Sequence, residues 1–184
     1  MKWIIALVLV LASCSCTEKS QPGNGSSVTQ VTEPSDAIDQ KLMIALSQAK
    51  NFHHKAKVYI SDGDTAAAIA SVREILSLQF PSGAPEGEDV RNDARALLAR
   101  LLVGQHQLDE AMNVVKEGLG SATRESFFTA NLYTVKGEIH EAYAQAAEAT
   151  DPAKAKTERH AAIESFEASN KIDKKLQDQL MEHR

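Results

Sequence analysis

The chain is poor in rings and in sulfur: aromatic residues make up 5% of its 184 positions, and there are only two cysteines. So few aromatics leave little for the strands of a sheet-rich core, and the abundant alanine points instead to thinly packed helices. Both cysteines, Cys14 and Cys16, precede every periodic segment. Neither a disulfide framework nor a cysteine-based metal or nucleophilic site can therefore be built inside the folded part. No basic block offsets the formal charge of -5, which argues against nucleic acid as a partner.

Motifs of catalysis are missing as well. The sequence has no GxSxG, no phosphate-cradling P-loop, no dinucleotide glycine pattern and no HExxH, so no enzyme activity and no cofactor are expected. Six histidines are present, but His53 and His54 are adjacent, and neighbours on a helix do not share a face. His140 has no second histidine one turn on, while His106, His160 and His183 sit among polar residues. They read as surface side chains, with no metal site.

What the chain does have is helical periodicity. Apolar residues are 43% of the whole. Val90, Ala94, Leu97, Leu98, Leu101 and Leu102 recur at the spacing of one helix face, as do Leu108, Ala111, Met112, Val115 and Leu119. The short polar stretch Gly104 to Gln107 must fold the second stripe back on the first. One hairpin cannot bury both stripes, so neighbouring hairpins are required.

Other segments supply them. A helix from about Asp36 to Ser61, with Ser35 as N-cap, is followed by a break at Asp62-Gly63-Asp64 and a helix from Thr65 to Leu78 capped by Asp64. Phe80 to Asp89 reads as a long loop. A third pair runs from near Ser121, with Phe128, Leu132, Val135, Ile139, Tyr143 and Ala146 as its stripe, and Asp151-Pro152 starts the last helix. The pairs span about 36–79, 88–119 and 122–182. Ile172, Leu176 and Leu180 form an amphipathic end.

These hairpins resemble the tetratricopeptide repeat. The resemblance rests on small residues where that family packs its helices closely, Ala56, Gly63, Ala68, Ala99, Ala111, Gly137 and Ala162, and on the turn run that begins at Gly104. It implies an all-α fold of antiparallel helix-turn-helix pairs, stacked as a short, irregular α-solenoid. Ala68 and Ala111 are 43 residues apart, against a family period of about 34. In the family, the first helices of successive pairs line a concave surface that holds a partner's peptide. Carried over by position, that surface comprises Lys50, His53 and Lys57, then Asp93, Ala96 and Arg100, then Asn131, Thr134 and Glu138. The first two sets imply a partly basic groove suited to an acidic peptide or a C-terminal carboxylate. Lys57 stands where members that clamp a terminal carboxylate have asparagine.

The first residues carry a second resemblance. Lys2 and the apolar run from Trp3 to Ala12 fit an export signal and are too short to span a ~30 Å hydrocarbon core. Leu11-Ala12-Ser13-Cys14 is similar to the bacterial lipobox, which implies removal of residues 1–13 and lipidation of Cys14. Acyl chains, at ~0.8 kcal/mol per buried CH₂, would then hold the protein on a membrane. Ser15, rather than an aspartate, follows the modified cysteine, so in a two-membrane organism the outer membrane, facing the periplasm, is expected. Residues 14–35 comprise the lipidated cysteine and a flexible tether, whose part from Thr17 to Ser35 is rich in Ser, Thr, Gly and Pro and has a span of roughly 20–25 Å.

The expected function is a non-enzymatic scaffold or adaptor that binds an envelope protein or peptide, membrane-bound through its lipid. Two alternatives stand beside it: an assembly factor resembling the pilotins of secretins and type IV pili, and a dimerising spacer that pairs through Ile172, Leu176 and Leu180.

Overall fold

A computed structural model describes residues 34–182. The expected signal peptide, Cys14 and most of the tether, within residues 1–33, lie outside the described residues. Six α-helices follow one another: α1 (Pro34–Ser61), α2 (Thr65–Ser77), α3 (Pro85–Gly104), α4 (Leu108–Ser121), α5 (Phe127–Ala147) and α6 (Pro152–Glu182). Among the described residues there is no strand, so the fold is all-α. No described helix is long and apolar enough to cross a membrane.

Local chemistry fixes the boundaries. Asp64 accepts a hydrogen bond from the Ala67 amide at 2.9 Å, capping α2. Asp151 accepts from the Lys154 amide at 2.9 Å, and Pro152 takes the first position of α6. Ser126, a cap that the apolar pattern does not mark, accepts from the Thr129 amide at 3.2 Å and opens α5. Two starts differ from expectation. The first helix begins at Pro34, so Ser35 lies within its first turn instead of preceding it. The third begins at Pro85, because a proline with its fixed φ, followed by Glu86 and Glu88, suits a helix N-terminus. The loop before it is correspondingly shorter than the ten residues expected.

The turn after α1 corrects a role. Gly63 is exposed, and a Cβ there would meet nothing within 4 Å. It is not a close-packing residue. Its φ of +77° ends α1 in the left-handed region, where glycine carries no steric cost.

Packing joins α1 to α2, α3 to α4 and α5 to α6, and then α2 to α3, α4 to α5, α1 to α3 and α3 to α5. The pair α5/α6 is antiparallel: Thr134 meets Ser169 at 2.9 Å, Gly137 lies against Phe166, and His140 meets Glu158 at 2.7 Å. The helices together make one unit. Ala56, Ala68, Ala99 and Ala111 are completely buried where helices approach, with Val72, Leu102, Val115, Leu132, Val135 and Ile139 filling the space between. Fully burying such a large apolar side chain contributes roughly 1.5–3 kcal/mol. Ala162 is also buried.

Helix α3 is enclosed by four others, and this changes two readings of its faces. Ala96, expected on the groove, is buried. Asn92, which no apolar pattern marks, is completely buried beside Gly118 of α4 and accepts from Arg95 Nη1 at 3.4 Å. Burial pushes the Arg95 guanidinium below its usual pKa, with the nearby Glu117 charge acting against that shift. In the third pair the apolar stripe ends on Ala144 and Ala147, while Ala146 faces solvent.

Candidate functional site

Helices α1, α3 and α5 bring most of the expected groove residues together. A cleft of about 270 Å³ opens between α1 and α3, with Ile75 of α2 and Phe128 of α5 contributing. Leu46, Ala49, Ala94 and Leu97 complete its apolar walls, and Lys50, His53 and Asp93 are its polar members. His53 Nδ1 of α1 stands 3.9 Å from Asp93 Oδ2 of α3 at the rim. Lys50 is exposed and has no acidic partner among the described residues.

Further along the same helices, Arg100 is not a free cation. Its Nε donates to Glu138 Oε2 at 2.8 Å, its Nη2 donates to Glu138 Oε1 at 3.0 Å, and Nη2 also donates to Asn131 Oδ1 at 3.1 Å. A bidentate guanidinium–carboxylate pair of this kind is the stronger and more directional sort of ion pair. Glu138 and Asn131 therefore engage Nε and Nη2 of Arg100, and the basic character expected of the middle of the groove is offset locally. Thr134, also expected on the groove, is half-buried and hydrogen-bonded to Ser169 of α6 at 2.9 Å. Lys57 is exposed, two turns beyond Lys50, and does not line the cleft.

Two of the described histidines depart from the surface reading: His53 is half-buried at the cleft, and His140 is half-buried away from it. His140 Nδ1 lies 2.7 Å from Glu158 Oε2. Its ring lies 6.5 Å from that of Tyr143, whose hydroxyl donates to Asp109 of α4. Desolvation by burial, followed by the hydrogen bond to Asp109 and the charges of Asp109 and Glu158, pushes the Tyr143 phenol well above its usual pKa. The cluster joins α4, α5 and α6, and its partners are separated by 18 and 34 residues in the chain, which is why sequence spacing does not find it.

The surface proposed for pairing of two copies is smaller than expected. Ile172 is buried against α5 and Leu176 is half-buried, so only Leu180 of the three is exposed, with Met181 beside it. Among the described residues, no group of three or more His, Cys, Asp or Glu side chains is placed to hold a metal ion.

No protein-family model matches the chain, and comparison with curated proteins and with solved structures finds no match.

Proposed function

We propose that this chain is a non-enzymatic protein-interaction module of the bacterial cell envelope, held on a membrane by lipid on Cys14. In this reading the three helix pairs form a short, irregular solenoid of tetratricopeptide-like hairpins, whose face of first helices, α1, α3 and α5, receives a segment of another envelope protein. The observation that carries it is the α1/α3 cleft: apolar walls, a rim of Lys50, His53 and Asp93, and an opening on that face. Order of packing along the chain supports the solenoid, since each pair touches the next through α2/α3, α1/α3, α4/α5 and α3/α5. The sequence Leu11-Ala12-Ser13-Cys14 supports the anchor.

Two measurements test it in the full chain. Acylation, followed by mass spectrometry and membrane fractionation, is expected in the wild type and lost in Cys14→Ser, which should become soluble. For the face, a photo-crosslinking side chain replaces Leu97 in the cleft or Asn113 on the exposed side of α4, in native membranes. Adducts to an envelope protein from position 97 and not from 113 support the reading. Their absence from 97 overturns it.

A further inference from the structure

We infer that the α1/α3 cleft selects a peptide segment in which one bulky apolar side chain is flanked by a carboxylate, with the apolar group in the cleft and the carboxylate at Lys50. This rests on the binding-face reading given above and specifies its ligand.

Size decides the first half. At about 270 Å³, the cleft falls just below the roughly 300–1,000 Å³ of sites that enclose drug-sized molecules. It is scaled to a side chain, and its walls of Leu46, Ala49, Ile75, Leu97 and Phe128 offer apolar contact on several sides. A large apolar residue seated in such a pocket is the usual energetic anchor of a protein interface.

Charge decides the second half. Among the cleft's ionisable members, Asp93 holds the α3 side with the His53 ring 3.9 Å away, and Lys50 on the α1 side is the cation without an acidic partner among the described residues. Arg100 is the other cation of this face near α3, and Glu138 already occupies the Nε/Nη2 edge of its guanidinium, with Asn131 also on Nη2. Glu138 thus acts as a resident competitor: an incoming carboxylate would have to displace it from the Nε/Nη2 edge of Arg100 or approach Nη1 against its charge, while Lys50 carries no bonded carboxylate. Electrostatic recognition is therefore confined to the α1 side of the cleft, and Glu138 is a specificity-determining residue although it lies outside the cleft.

The test uses detergent-solubilised full-length protein and synthetic peptides in which a single Leu, Phe or Trp is flanked by Glu, Ser or Lys, with binding read by fluorescence anisotropy. Glu-flanked peptides should bind on the order of tenfold tighter than Lys-flanked ones. Lys50→Glu should invert that order, whereas Lys57→Glu, outside the cleft, should leave it in place. Glu138→Gln should strengthen Glu-flanked binding by releasing Arg100. Lys50 and Lys57 are exposed, so their variants are expected to fold, and circular dichroism checks this. Apolar peptides that bind with no preference for flanking charge, or a preference that Lys50→Glu does not alter, would overturn this ligand class while leaving the binding face intact. Failure of every peptide overturns it as well, and combined with absent crosslinks from position 97 removes the binding face too. Concentration-dependent dimerisation in light scattering that Leu97→Glu abolishes would make a second copy the occupant and overturn it.

Discussion

Gly137 of α5 lies against the edge of the Phe166 ring of α6, so close that a Cβ on Gly137 would stand 2.7 Å from Phe166 Cζ. Glycine inside a helix otherwise costs about 1 kcal/mol relative to alanine, and the close approach explains why one sits in the middle of a 21-residue helix. Gly137→Ala gains that propensity but overpacks the contact, at a typical cost of about 1–3 kcal/mol. A net loss of about 1 kcal/mol is expected in chemical denaturation. Adding Phe166→Leu should make the alanine less costly than it is alone, a coupling that a double-mutant cycle reads directly.

Gly118 and Gly104 make a contrasting pair. A Cβ at Gly118 would meet Leu132 Cδ1 at 2.7 Å and Arg95 Cδ at 3.0 Å, with Asn92 Oδ1 behind them at 3.4 Å. Three neighbours from two other helices cannot all give way, so Gly118→Ala is expected to lose about 2–3 kcal/mol. At Gly104, the last residue of α3, nothing lies within 4 Å of such a Cβ. There alanine should stabilise by about 0.4–1 kcal/mol, mainly by restricting the unfolded chain. Melting temperatures of the two variants should therefore move in opposite directions.

Helix caps supply a third comparison. Asp64→Ala and Asp151→Ala each remove a carboxylate that accepts an amide at 2.9 Å, and each should cost about 1 kcal/mol. Ser126→Ala should cost more, because Ser126 and Thr129 are both buried and the Thr129 amide would lose its acceptor where water has little access. Urea midpoints of the three variants check the order.

Tyr143 makes a prediction for alkaline solution. Its phenol is held above its usual value by burial and by Asp109, while in the unfolded chain it ionises near pH 10. The stabilisation that follows from this raised value is fully present below about pH 10 and is lost as pH climbs through the higher folded value. Ultraviolet titration of the native protein should therefore contain a late-ionising phenol component that is absent from Tyr143→Phe. If the variant and the wild type titrate with the same late component, the assignment to Tyr143 is wrong.

How much of this was legible depended on whether the signal was local. Asp64 and Asp151-Pro152 act within one turn of their own helix, and reading along the chain finds them. Pro85 carried an equally local signal, a proline at the first helical position, but the glycines and prolines around it read as loop. Asn92 and Ala96 could not be placed, because the faces of α3 that bury them are created by α1, α2, α4 and α5, and a periodicity sees one stripe and not an enclosure. Arg100 illustrates the same limit at the candidate site. Position on the helix puts it beside Asn131 and Glu138, but its pairing with Glu138 is a tertiary contact that no local pattern encodes. Ile172 had a visible apolar pattern, yet whether α5 or a second copy covers such a stripe is a tertiary question.

Helix α3 touches α1, α2, α4 and α5, whereas α6 rests on α5 alone. Cooperativity should be graded accordingly along the chain. Detaching α6 exposes a single interface and leaves the rest of the assembly its own cohesion, while no partial opening can release α3 without dissolving every neighbour at once. Because that single α5/α6 interface is the most extensive between any two described helices, α5 and α6 should open and close as a pair, and the α3 interior should be the last protected ground before global unfolding.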